Sequence, residues 1–278
     1  MRSALSRSTS FVVGVAPCAT SGVILKTVSP KITKINQIFF NFSFPHHSQW
    51  FLFIISLKGE RKVEEERIAH ILSILEEHFP EARLLLEFRT PFELLIATIL
   101  AAQAQDERVN QVTKVLFQKY QDVLSLAQAP LEEIEHIVRP LNYYRQKARF
   151  VKEAAREIVE KFRGEVPPSL EALVKLPGVG RKTANIVLGN AFGIPALPVD
   201  THVGRVAQRL QFSFASSPDK IEEDLRQLIP REKWVRATHL LGFLGRFICQ
   251  AKKPLCHTCP IQAFCPYPEA SFPNPPRS

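Results

Sequence analysis

The sequence predicts an all-α protein. From Val63 onward apolar residues recur at helical spacing, as at Ile68, Ile71, Leu72, Leu75 and Phe79. Leu176-Pro177-Gly178-Val179-Gly180 lies between two such stretches, where proline and glycine end one helix and permit a tight turn into the next. No segment alternates convincingly as a strand does, and no internal repeat is present.

The elements follow in order. Residues 1–62 are rich in Ser, Phe and Ile, lack acid up to Glu60, and show no sustained period. They read as an atypical extension: a disordered segment, a targeting segment, or residues upstream of a true start at Val63. A helix then runs to Phe79 and ends at Pro80. Thr90-Pro91-Phe92-Glu93 reads as a capping box that opens an apolar helix to about Ala102. Gln103-Ala104-Gln105-Asp106 breaks it. Asp106 is placed to cap the next helix, which carries Val109, Val112, Val115 and Leu116. Short helices are expected at Val123–Gln128 and Leu131–Val138, then a longer one from about Gln146 to Phe162 with Gly164 as its stop. The turn pair spans Ser169–Lys175 and Arg181 to about Ala191. Asp200, Ser217-Pro218 and Arg231 open the last helices, ending near Leu210, Ile229 and Ile248.

Charge points to nucleic acid, with a qualification. The formal net charge is +9, but residues 1–59 hold six basic side chains and no acid. The 36 basic residues less these six leave 30 against 27 acidic, so the body carries only +3. A DNA-binding surface must then be a local patch. No apolar run is long enough to span a membrane; Trp50–Leu57 is the longest.

The turn at Gly178, Val179 and Gly180 would present backbone N–H groups at a helix start, where the macrodipole favours an anion. Such a nest can hold a phosphate without reading a base. Arg181, Lys182 and Thr183 occupy the first turn beyond it. A lysine amine becomes nucleophilic when burial or cationic neighbours lower its pKa, and Arg181 and the helix start both push that way. Near a deoxyribose such an amine can attack C1′, expel a base and form a Schiff base. A carboxylate such as Asp200 can take the amine's proton or face positive charge on the sugar. Each feature has a plainer reading. The glycines can be a mere connector, Lys182 a solvated charge, and Asp200 an N-cap. Their joint appearance in this order is what favours chemistry.

Cys249, Cys256, Cys259 and Cys265 fall within seventeen residues, and Cys18 stands apart. Clustered cysteines suit metal in a reducing compartment better than a disulfide framework. Four thiolates hold either zinc or an iron–sulfur cluster. The spacing, unlike a paired zinc ribbon, leans towards iron–sulfur. Arg246, Lys252 and Lys253 can face phosphate there or balance the thiolate charge.

With these motifs in order, the chain resembles the endonuclease III family of helix–hairpin–helix DNA glycosylases. The resemblance covers about residues 63–268. It rests on Pro91-Phe92-Glu93-Leu94-Leu95-Ile96-Ala97, Ala102-Gln103-Ala104, the hairpin through Ala184-Asn185, Val199-Asp200-Thr201-His202 and the four cysteines. It implies a bilobal fold. Residues 84–193 form a six-helix barrel lobe, and residues 63–83 with 194–268 form a lobe holding a [4Fe-4S] cluster. Residues 269–278 are a tail. It implies duplex DNA containing damaged pyrimidines or abasic sites as partner, with the damaged nucleotide flipped out. It implies a monomer in the bacterial cytoplasm, at the nucleoid, with organellar targeting by residues 1–62 as the alternative. Lys182 matches the Schiff-base lysine and Asp200 the catalytic aspartate. Gln103 matches a residue that fills the gap left by the flipped base. The loop Asn142–Tyr144 matches a second wedge, with wording that departs from the common pattern, as does Gln105. The rival readings are a monofunctional adenine-type glycosylase and a non-catalytic DNA-binding module. The lysine at 182 argues against the first, and the Lys182–Asp200 pairing against the second.

Overall fold

The computed structural model describes residues 47–267, with side chains from Lys62 onward. Readings that fall on residues 1–46 and on the tail lie outside the described residues. By its contacts the chain divides into two units at Leu52/Phe53, and the second unit holds every helix after the first. Every regular element among the described residues is helical.

The first helix, α1, spans His47–His78, sixteen residues earlier than the periodicity marks. Between Pro45 and Pro80 the sequence holds no proline and one glycine, so nothing breaks the backbone. The expected stripe is buried: Ile68, Ile71 and Leu75 fully, Leu72 and Phe79 nearly so. Next come α2 (Pro91–Leu100), α3 (Asp106–Lys119), α4 (Val123–Gln128), α5 (Leu131–Val138) and α6 (Tyr144–Phe162). They are followed by α7 (Leu170–Leu173), α8 (Arg181–Ala191), α9 (Thr201–Arg209), α10 (Pro218–Leu228) and α11 (Trp234–Phe243).

Helix α2 shows how burial organises this fold. Phe92 to Leu100 are all buried, which makes it a core helix rather than an amphipathic one. Each fully buried leucine or isoleucine contributes roughly 1.5–3 kcal/mol. Its start departs from a capping box in one detail. Thr90 Oγ1 accepts from Glu93 N at 3.2 Å, but the Glu93 carboxylate accepts from Arg89 N at 2.7 Å and from the Arg89 guanidinium at 2.6 Å. In α3 the N-cap is Gln105, and Asp106 is the first helical residue. Val115 is 51% exposed, because the buried face runs through Val109, Val112, Leu116 and Phe117.

The last long helix is interrupted. Arg231–Lys233 form a 3₁₀ turn, α11 follows, and Leu244–Ile248 widen into a π turn. Gly245 explains the close approach there, since a Cβ would stand 2.8 Å from the His202 carbonyl oxygen. The segment before the hairpin is also shorter than its spacing suggests, with only Leu170–Leu173 helical.

Two separate hydrophobic clusters result. One gathers buried residues from Leu86 to Ala196, with α2 packed on α6 and α8. The other joins Ile68–Ala82 to buried residues from Leu197 to Ile261, with α9 packed on α11.

Candidate functional site

The hairpin is held by one glycine that has no substitute. Gly178 has φ +75°, and a Cβ there would meet Phe150 of α6 at 2.9 Å. Val179, 6% exposed, plugs the turn into the core, and its N–H donates to the Leu176 carbonyl at 3.1 Å. Gly180 is the N-cap of α8 and brings no side chain to it, and the first turn of α8 holds no acid. The leading N–H groups of α8 therefore stay available to an outside anion.

Lys182 and Thr183 follow in that first turn, and both line a cavity of about 500 Å³. The opposite wall brings Asp200, His202, His239 and Arg246 to the same space. Volumes of this order suit a small organic group. Asp200 has two placements at once. Its Oδ1 accepts from His202 N at 2.9 Å and Val203 N at 2.8 Å, capping α9. Its other oxygen makes no hydrogen bond with a described residue. The N-cap reading and the cavity reading hold together.

Gln103 lines one side of the cavity, and Tyr143 belongs to the loop tied to it. Both are non-glycine residues in the left-handed region, at φ 54° and 58°. Asn142 Nδ2 donates to the Gln103 carbonyl at 3.4 Å, tying the two loops. Tyr143 is 64% exposed. Strain of this kind costs on the order of 1–3 kcal/mol per residue and persists where surroundings enforce it. Asp106 reaches Arg246 at 2.5 Å, joining the first turn of α3 to the π turn across the cavity. His239 is held neutral, its pKa pushed down to about 4 by burial and then by Arg236.

Arg181 goes elsewhere. Its guanidinium donates to both oxygens of Glu222, at 3.0 and 2.9 Å. Glu222 is buried and also accepts from Asn185 and Arg226. Arg181 does not line the cavity beside Lys182, so its side chain is not the neighbouring cation expected there.

The cysteine loop is secured by two arginines that spacing alone had not singled out. Arg209 Nη1 donates to Cys249 Sγ at 3.2 Å and to the Gln250 carbonyl at 2.8 Å; Arg205 Nε donates to the Cys249 carbonyl at 2.9 Å. They sit four apart on one face of α9, a spacing that was available as a signal. Arg246 is taken by Asp106, while Lys252 and Lys253 remain exposed.

Burial, and then the charges of Cys265, Cys249 and Cys256, push Cys259 up to about 11; Cys265 is raised for the same reasons. Four thiols that press on one another in this way want a cation among them. Among the described residues no three such side chains converge as a site for a single ion. By its donor chemistry, four thiolates within one short loop, the quartet fits an iron–sulfur cluster.

Residues 96–231 match the HhH-GPD superfamily of base excision DNA repair proteins, and residues 249–265 match the iron–sulfur binding domain of endonuclease III. The chain is 46% identical over 217 residues to endonuclease III of Synechocystis sp., covering 78% of this chain and 99% of that relative. It is 40% identical over 199 residues to endonuclease III of Escherichia coli K12, covering 72% and 94%. Among solved structures it is similar to a trapped endonuclease III–DNA covalent intermediate, with TM-score 0.70, 44% identity and coverage of 73% and 95%. A thermostable thymine-DNA glycosylase is also similar, with TM-score 0.63, 28% identity and coverage of 77% and 99%.

Proposed function

This chain belongs to the endonuclease III family of base excision repair proteins, and from that premise we propose that Lys182 and Asp200 carry its chemistry. The protein is a DNA glycosylase and abasic-site lyase that binds DNA, and it carries a [4Fe-4S] cluster. The observation that supports the assignment is the shared cavity. Lys182 enters it from the open start of α8, and Asp200 enters from the capped start of α9.

The hairpin grips a backbone phosphate through the N–H groups of Gly178 and Gly180 and the first turn at Arg181 and Thr183, while Val179 holds the turn in shape through its own N–H bond to Leu176. Arg181 then contributes through its backbone, since its side chain serves Glu222. Lys182 Nζ attacks C1′ of the damaged nucleotide. The glycosidic bond breaks, its electron pair leaves with the base, and the amine's proton passes to the free oxygen of Asp200. The nitrogen lone pair then opens the sugar ring: the C1′–O4′ bond breaks, O4′ takes the proton that Asp200 had accepted, and the resulting protonated imine makes the C2′ proton acidic. Its removal expels the 3′ phosphate by β-elimination, which cuts the strand. Gln103 and Tyr143 fill the gap in the duplex, held ready by their enforced backbone. The substrates are oxidised pyrimidines in duplex DNA, acted on by a monomer at the bacterial nucleoid in the cytoplasm. Among the described residues no helix is long and apolar enough to cross a membrane.

Cys249, Cys256, Cys259 and Cys265 hold the cluster. When bound, it offsets the thiolate charge and cross-links four points of one short loop. We read two lobes, residues 84–193 and residues 63–83 with 194–268; the two hydrophobic clusters support the division, with Ile194 and Ala196 packing on the first, and residues of both clusters line the cavity.

Borohydride trapping on duplex DNA containing thymine glycol tests the reading. Wild type should form a covalent adduct and Lys182→Ala none. An adduct from both variants would remove Lys182 from its role; none from either, with DNA still bound, would point to a monofunctional glycosylase.

A further inference from the structure

One buried group outside the cavity has no partner among the described residues. Lys147, the fourth residue of α6, is 4% exposed, and its Nζ makes no hydrogen bond with any described residue. Burial lowers its pKa below the ordinary lysine range. A buried ammonium without an acceptor costs stability. Its surroundings supply no remedy. Helical side chains lean towards the N-terminus, so the Lys147 stem runs back over the first turn of α6. That turn offers no carboxylate, and its N-cap, Tyr143, gives no capping side chain. Residues 139–152 carry Arg139, Arg145, Lys147, Arg149 and Lys152 without a single Asp or Glu. Arg139, Arg145 and Arg149 are exposed. This is a local basic patch on a body that is nearly neutral.

Its position ties it to the cavity. Asn142, two residues before α6, holds the Gln103 carbonyl. Phe150, farther along α6, is the residue against which Gly178 of the hairpin packs. Six residues separate Tyr144 from Phe150, about 9 Å along a helix. The start of α6 and the hairpin therefore lie close enough to meet one duplex at different phosphates.

We propose that the N-terminus of α6, with Lys147 beneath it, is a second anion site that takes a phosphodiester of the DNA backbone distinct from the one held by the hairpin. The inference rests on the DNA-repair reading. An arriving phosphate accepts from the N–H groups of the first turn and from the ammonium together, and so satisfies donors that no described side chain satisfies.

The test compares wild type with Lys147→Met, which keeps the stem's bulk and removes the charge. Binding to a duplex with an uncleavable abasic analogue is titrated at several salt concentrations, and the DNA-free proteins are melted in parallel. Lys147→Met should bind about tenfold more weakly at low salt, and its plot of log K against log salt should be shallower by about one. Its melting temperature should hold or rise, because an unpaired buried charge is gone. An unchanged affinity and slope would overturn the site. A clear fall in melting temperature would also overturn it, by showing that the lysine serves the fold. A wild type without salt-dependent DNA binding would instead sink the DNA reading itself.

Discussion

Helices α8 and α9 both begin on the one cavity, and their starts are dressed in opposite ways. The start of α8 follows two glycines and has neither a capping side chain nor an acid in its first turn. The start of α9 is closed by Asp200, whose Oδ1 takes two N–H groups. Elsewhere the chain fills such positions: Thr90, Asp122, Ser169 and Ser217 cap their helices. Helices α3 and α5 lack a side-chain cap but carry acid in the first turn. Helices α6 and α11, the latter continuing from a 3₁₀ turn, also start without cap or acid; on the cavity wall such a start marks where an external anion belongs. A closed start on the same cavity uses one carboxylate oxygen for the fold and leaves the other for chemistry.

Removing the amine at the open start should have the largest effect. Lys182→Ala should lower strand nicking by at least about a thousandfold, as for an essential nucleophile, while binding to an uncleavable abasic duplex stays within a few-fold. Gel assays of nicking and binding on the same substrate check this. Asp200→Asn tests the closed start. Asparagine caps as well as aspartate, so thermal stability should barely move, while base release slows by roughly 10²–10⁴-fold. A variant that melts early yet releases base normally would reduce Asp200 to a cap. Gly178→Ala should cost about 1–3 kcal/mol in denaturant unfolding, from positive φ and the collision with Phe150. It should weaken DNA binding as well. The smallest change in function is expected from Arg181→Ala. It leaves buried Glu222 short of a partner and should destabilise by about 1–3 kcal/mol, with DNA affinity nearly unchanged. A large loss of affinity would show that the guanidinium leaves Glu222 for DNA.

Much of this was legible in residue order because it rests on periodicity or on residues with unusual backbone freedom. The stripe from Ile68 to Phe79 and the hairpin glycines belong to that class. Val115 misled because i+3 and i+6 spacing from Val109 suits a broad stripe, and only the partner helices decide how broad it is. The break in the last helix was hidden because no proline or paired glycine marks a π turn; the packing of Gly245 on His202 produces it. Gln103 and the loop Asn142–Tyr144 can be matched to wedges by resemblance, yet nothing in the Gln103 or Tyr143 side chain announces a left-handed backbone. Lys147 looked like any lysine on an amphipathic helix. Its isolation is a property of tertiary burial.

The split composition of the second hydrophobic cluster has a consequence during synthesis. Residues Leu86 to Ala196 are continuous in the chain and can pack as they emerge. The stripe from Ile68 to Ala82 has its partners only from Leu197 onward. At about 5–20 residues per second, a ribosome takes on the order of ten seconds to bridge that gap. For that interval an apolar helical face stands uncovered beside a finished neighbour. The loop that receives iron and sulfur is made after every other described element, so the cofactor joins a protein whose other helices have already been made.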